Sequence, residues 1–91
     1  MASLKITRAS GDESIHLITP AIEYAFEQNF KSGFHKRMRD EERTSDIYWL
    51  SWKCLDVAAK NGSGEAIKPF GEAFLETLAK VEVIEDINPN G

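Results

Sequence analysis

The stretch Ser45–Lys60, SDIYWLSWKCLDVAAK, constrains this chain most. It holds both tryptophans, one of the two tyrosines and the only cysteine of a 91-residue sequence. Placed on a helix at about 100° per residue, Ile47, Leu50, Cys54, Val57 and Ala58 fall on one side, and Tyr48, Trp52, Leu55 and Ala59 on the adjoining side. The apolar arc is roughly 220° wide, against the ~100° stripe of an ordinary surface helix. Trp49, Lys53, Asp56 and Lys60 make up the remaining stripe. A helix this apolar is covered on two sides, by the rest of a small domain or by another subunit. Trp49 is the odd member, an indole set among charges.

Leu4–Arg8 alternates apolar and polar residues, Ala9–Ser14 carries turn chemistry around Gly11, and Ile15–Ile18 resumes the alternation. This predicts a β-hairpin over residues 4–18 with Leu4, Ile6, Ile15 and Leu17 on one face. An isolated hairpin is marginal, so that face needs helices against it. Thr19-Pro20 is a helix start, with a hydroxyl N-cap, proline at the first helical position and Glu23 near the positive end of the dipole. The predicted helix runs from Pro20 to about Lys31, with Ile22, Ala25, Phe26 and Phe30 on its apolar face and Gly33 as its stop. Phe34–Arg39 reads as a short helical turn and Asp40–Thr44 as a solvated link. Thr44 or Ser45 caps the central helix, Asp46 suits its first turn, and Asn61-Gly62 ends it. After a short connection, Pro69 opens a last helix from Phe70 to about Lys80. Val81–Glu85 is a short strand and Asp86–Gly91 a flexible tail. The fold class expected is α+β, with a small N-terminal hairpin packed on three to four helices. It forms one domain over residues 1–91, of which 19–85 is the helical part.

Composition narrows the function classes. The chain is 42% hydrophobic and 29% charged, which is ordinary for a globular domain. No apolar run approaches the roughly 18–20 residues of a membrane span, and the N-terminus lacks a signal-peptide core. One cysteine precludes an internal disulfide and fits a reducing compartment. The net charge of −4 gives no global attraction to phosphate backbones. A domain of this size has little room for a deep catalytic cavity, so no enzyme, catalytic residue or cofactor is expected.

The individual candidates point the same way. His16, His35 and Cys54 lie on a strand, a turn and a buried helix face without metal-ligand spacing, so no metal site is expected. Cys54 sits among Leu50, Val57 and Ala58 and reads as an inert core thiol. Lys31, His35, Lys36, Arg37 and Arg39 form a basic cluster around Phe34, but Asp40, Glu41 and Glu42 follow at once and cancel its field. The acidic pairs Glu41/Glu42 and Glu85/Asp86 are solubility features. The aromatic set stands out. Tyr48, Trp52, Phe26, Phe30, Phe70 and Phe74 are assigned mainly to the core. Trp49 and Tyr24 fall on charged helix faces, and exposed Trp and Tyr are the types enriched as interface anchors. With the neighbouring Lys53 and Asp56 they form the expected partner-binding set.

Four segments in order carry a resemblance: Thr19-Pro-Ala-Ile-Glu-Tyr-Ala-Phe-Glu-Gln-Asn-Phe30, Asp46-Ile-Tyr-Trp-Leu-Ser-Trp-Lys-Cys-Leu55, Pro69-Phe-Gly-Glu-Ala-Phe-Leu75 and Val81-Glu-Val83. Over roughly residues 4–85 the chain resembles the short tail assembly chaperones of long-tailed bacteriophages, with Ser51 where alanine is commoner between the tryptophans. The resemblance implies a non-catalytic protein of the host cytoplasm. Such a protein binds helical segments of the tape measure protein, keeps them soluble while tail-tube subunits polymerise, and is lost from the mature virion; tail-tube subunits and a second copy of the chain, as a homo-oligomer, are the further candidate partners. The alternatives are a structural virion or head–tail connector component, which stays in the particle, and a small nucleic-acid-binding regulator using Lys31–Arg39.

Overall fold

The computed structural model describes residues 2–41 and 43–84. Strands β1 (Ser3–Arg8) and β2 (Glu13–Leu17) are followed by helices α1 (Pro20–Phe30), α2 (Phe34–Asp40) and α3 (Thr44–Ala58). A wide turn over Ala59–Ser63 extends α3; the single-turn α4 (Glu72–Leu75) and strand β3 (Leu78–Ile84) close the described chain. The fold is α+β: the strands form one antiparallel sheet in the order β2-β1-β3, with helices on one face.

The hairpin corrects the expected face. Its loop closes through Arg8 N–H to the Asp12 carbonyl at 2.8 Å, with Gly11 at φ 98°, and places Thr7 opposite Glu13. Leu4 then pairs with His16 and Ile6 with Ser14. Ile15 and Leu17 are therefore on the other face, 65% and 52% exposed, while Leu4 and Ile6 are fully buried. A register shift of one residue exchanges every side chain between faces, and here loop length decides it. The apolar partners of Leu4 and Ile6 come from β3 instead, as Val83 and Val81.

The C-terminal segment is the second correction. The helical spacing of Phe70, Phe74, Leu78 and Val81 predicts a helix to Lys80, but the helix is only Glu72–Leu75. Thr77 ends it: its backbone N–H and its hydroxyl both donate to the Phe74 carbonyl, at 2.9 and 2.6 Å. The β-branched Val81, Val83 and Ile84 then favour a strand, and β1 offers an edge for it to pair with. The strand expected over Val81–Glu85 starts three residues earlier, at Leu78. Asp86–Gly91, and the acidic residues Glu42 and Glu85, lie outside the described residues.

The helix boundaries have local causes. Thr19 Oγ1 accepts from the Ile22 N–H at 3.4 Å, with Pro20 next in line, as expected for the α1 start. Its end differs. Lys31, at φ 56°, takes the left-handed cap position assigned to Gly33, and Gly33 begins α2 instead. The Glu27 carboxylate accepts from the Phe34 N–H at 2.8 Å and so caps α2 from α1. α3 begins at Thr44 with no side-chain cap: the cap position falls on Arg43, which carries no acceptor, and not on the expected Thr44 or Ser45, while Asp46 in the first turn points inward to Arg37.

Candidate interaction groove

α1 and α3 meet through aromatic rings, and the contacts run on as a belt. Phe26 lies 5.2 Å from Phe34, 4.5 Å from Phe30 and 6.0 Å from Trp49, measured between ring centroids. Trp49 is 5.8 Å from Trp52, Trp52 is 6.2 Å from Phe70, and Phe70 is 6.3 Å from Phe74. All of these contacts are edge-on or tilted, and none is a face-to-face sandwich, the arrangement the ring quadrupoles disfavour. One end of the belt is sealed. Arg37 of α2 reaches Asp46 of α3 with two charge-assisted hydrogen bonds, Nε–Oδ2 at 2.6 Å and Nη2–Oδ1 at 3.0 Å. The guanidinium also lies over the Phe30 ring, 4.5 Å from its centroid. The Asp46 side chain is 1% exposed and that of Arg37 13%. The Asp46 hydrogen bond raises the Arg37 pKa further above its already high value, so this charge is permanent.

The other end of the belt is open. Between α1 and α3 lies a groove of about 790 Å³, lined by Tyr24, Phe30, Trp49, Trp52, Lys53 and Phe70, with polar Gln28, Asn29 and Ser45 at its margin. Tyr24 is 65% exposed and Phe70 41% exposed. Trp52 Nε1–H donates to the Lys68 carbonyl at 3.0 Å, which holds the loop that carries Phe70 against α3. Lys53 Nζ stands 5.7 Å from the Trp52 ring centroid and is the one cation among the described residues that line this apolar wall.

Three of the four residues expected to bind a partner come together here: Tyr24, Trp49 and Lys53 all line the groove. Asp56 does not. It sits one turn further along α3, ion-paired with Lys60 at 3.0 Å and Lys53 at 4.0 Å. Trp49 is not the exposed indole that the helical wheel suggests. Only 8% of it is exposed, because Phe26 and Phe30 of α1 pack against the stripe that the wheel left to charges. It forms the groove floor. Phe70, assigned to the core, is instead part of the rim, since the shortened α4 leaves it outside the helix. A solitary phenylalanine after proline and before glycine was the available signal for that exposure.

The remaining candidates are dispersed or engaged. In the basic cluster Arg37 points inward to Asp46, Arg39 pairs with Asp40 at 3.3 Å, and His35 faces Glu23 at 3.5 Å. Cys54 is 2% exposed and burial pushes its thiol up to about 12, so it stays protonated at neutral pH. Ser51, fully buried, donates to the Ile47 carbonyl at 2.9 Å. A smaller hollow of about 330 Å³ lies beside the hairpin, where Arg8 Nη1 and Nη2 donate to the two Glu65 carboxylate oxygens at 2.7 and 2.8 Å while the buried Arg8 Nε has no hydrogen-bond partner among the described residues. Among the described residues no group of three His, Cys, Asp or Glu is placed to hold a metal ion, and no helix is long and apolar enough to cross a membrane. No protein-family model, curated protein or solved structure matches this chain.

Proposed function

We propose that this protein is a non-catalytic tail assembly chaperone of a long-tailed bacteriophage, which holds amphipathic helical segments of a tape measure protein in the groove between α1 and α3. The observation that carries the reading is the exposed aromatic rim, Tyr24 and Phe70, standing over an indole floor. An apolar groove flanked by aromatic anchors is the form in which proteins take an amphipathic helix, through residues spaced i, i+3 or i+4 and i+7. Lys53 at the wall favours a client helix with a carboxylate beside its apolar stripe. Many copies along one long client gain from avidity, so each groove needs only modest affinity. The sequence resemblance supplies the client's identity, and the net charge of −4 suits a protein that keeps an aggregation-prone partner in solution.

The chemistry of the basic segment weighs against the nucleic-acid reading, because its most buried cation, Arg37, is committed to Asp46. The chaperone reading is tested by co-expressing the chain with the protein of the long, helix-rich reading frame beside its own. The expected result is that the long protein becomes soluble and co-purifies with this chain, and that Tyr24→Ala/Phe70→Ala abolishes both effects at unchanged stability. The reading fails if no such frame exists, or if the long protein is equally insoluble with and without this chain. Detection of this chain in purified virions favours the structural-component alternative.

A further inference from the structure

The sheet ends on β3, whose second edge pairs with no strand among the described residues. This edge is seven residues long, and long free edges invite another strand. Its charge pattern specifies which strand. Lys80 and Glu82 project from the face away from the helices, where each is well exposed and they pair with each other at 2.9 Å. An antiparallel copy of β3 laid along this edge about a two-fold axis at Val81 sets Val81 against the partner's Val81. It then sets Lys80 opposite the partner's Glu82, and Glu82 opposite the partner's Lys80. Both cross-strand pairs are attractive, and opposite charges facing each other across strands stabilise a pairing that like charges would oppose. An alternating Lys-x-Glu strand is thus complementary to itself in this one register.

We infer that two copies of this chain join edge to edge through β3, making a continuous six-stranded antiparallel sheet with helices on one face. The contact is isologous, as a two-fold dimer requires. It uses a surface separate from the aromatic groove, so each dimer presents two grooves, and the inference stands apart from what the groove binds.

The test is sedimentation equilibrium of the wild type and three charge variants over a micromolar dilution series, with circular dichroism to show that each is folded. The wild type is expected to dimerise. Lys80→Glu and Glu82→Lys each place like charges opposite one another twice and are expected to weaken dimerisation roughly tenfold or more. The double exchange Lys80→Glu/Glu82→Lys restores the complementarity and is expected to recover the dimer. A wild type that stays monomeric throughout overturns the inference. A dimer indifferent to both single reversals, or one broken by Tyr24→Ala/Phe70→Ala, overturns it too, in the latter case by placing the contact at the groove.

Discussion

The two ends of the aromatic belt are built from the same residue types and do different things. At one end Phe26 and Phe30 pack against Trp49, and Phe34 against Phe26, beneath an ion pair, with Phe26 fully buried. At the other end Trp52 and Phe70 face a groove with Tyr24 across from them. What separates core from surface is therefore the neighbour that closes over the rings. Arg37 and Asp46 close one end, and the loop through Gly71 leaves the other open. Rigidity at the sealed end also serves the open one, because a groove whose floor is fixed loses less entropy when a ligand docks.

Substitutions break the comparison in order of depth. Phe26→Ala removes the ring that three other aromatics touch and is expected to cost about 3–5 kcal/mol, read as a lower urea midpoint. Asp46→Ala leaves a guanidinium on the phenylalanine faces without its carboxylate and is expected to cost about 3 kcal/mol. Replacing both charges, as in Arg37→Met/Asp46→Leu, is expected to recover most of that loss, which would show that closure, more than charge, is what the pair supplies. At the open end Tyr24→Ala and Phe70→Ala are each expected to change stability by less than about 1 kcal/mol while lowering client affinity about tenfold or more. A large stability loss at Phe70 would mean that the two ends are alike after all.

The sheet, away from both ends, is a control with its own pH dependence. Burial, and then the nearby Arg8 charge, lower the His16 pKa below its ordinary 6.5. The unfolded chain therefore takes up a proton first as pH falls, so stability is full above about pH 6.5 and declines below it. His16→Gln is expected to flatten this slope between pH 7 and 5 without altering client binding. A denaturation series at several pH values checks it.

Much of this arrangement is legible in the sequence, and the failures have identifiable causes. Thr19-Pro20 starts a helix whatever lies beyond it, because capping is local. The apolar arc of Ser45–Lys60 likewise announces a helix covered on two sides. The face of Ile15 and Leu17 was not legible, because one residue of loop length decides it. The strand over Val81–Ile84 was legible, but its start at Leu78–Lys80 was hidden by helical spacing, because the strand that pairs with it lies about seventy positions away, with Thr7 opposite Lys80 and Arg8 opposite Leu78. Trp49 was misread because a wheel records a residue's own helix but not the phenylalanines that α1 brings to it. Arg37 and Asp46, nine residues apart, read as a surface charge and a first-turn acid until α2 folds against α3.

One titration decides the matter most directly. A peptide spanning an amphipathic helix of the proposed tape measure client is added to isotopically labelled protein while backbone amides and both indole N–H signals are followed. The account predicts shifts confined to Tyr24, Gln28, Asn29, Lys53, Phe70 and the Trp52 indole, with Ile15, Leu17 and the Arg37 side chain unmoved. Shifts on the outer face of the sheet with a silent groove would contradict it.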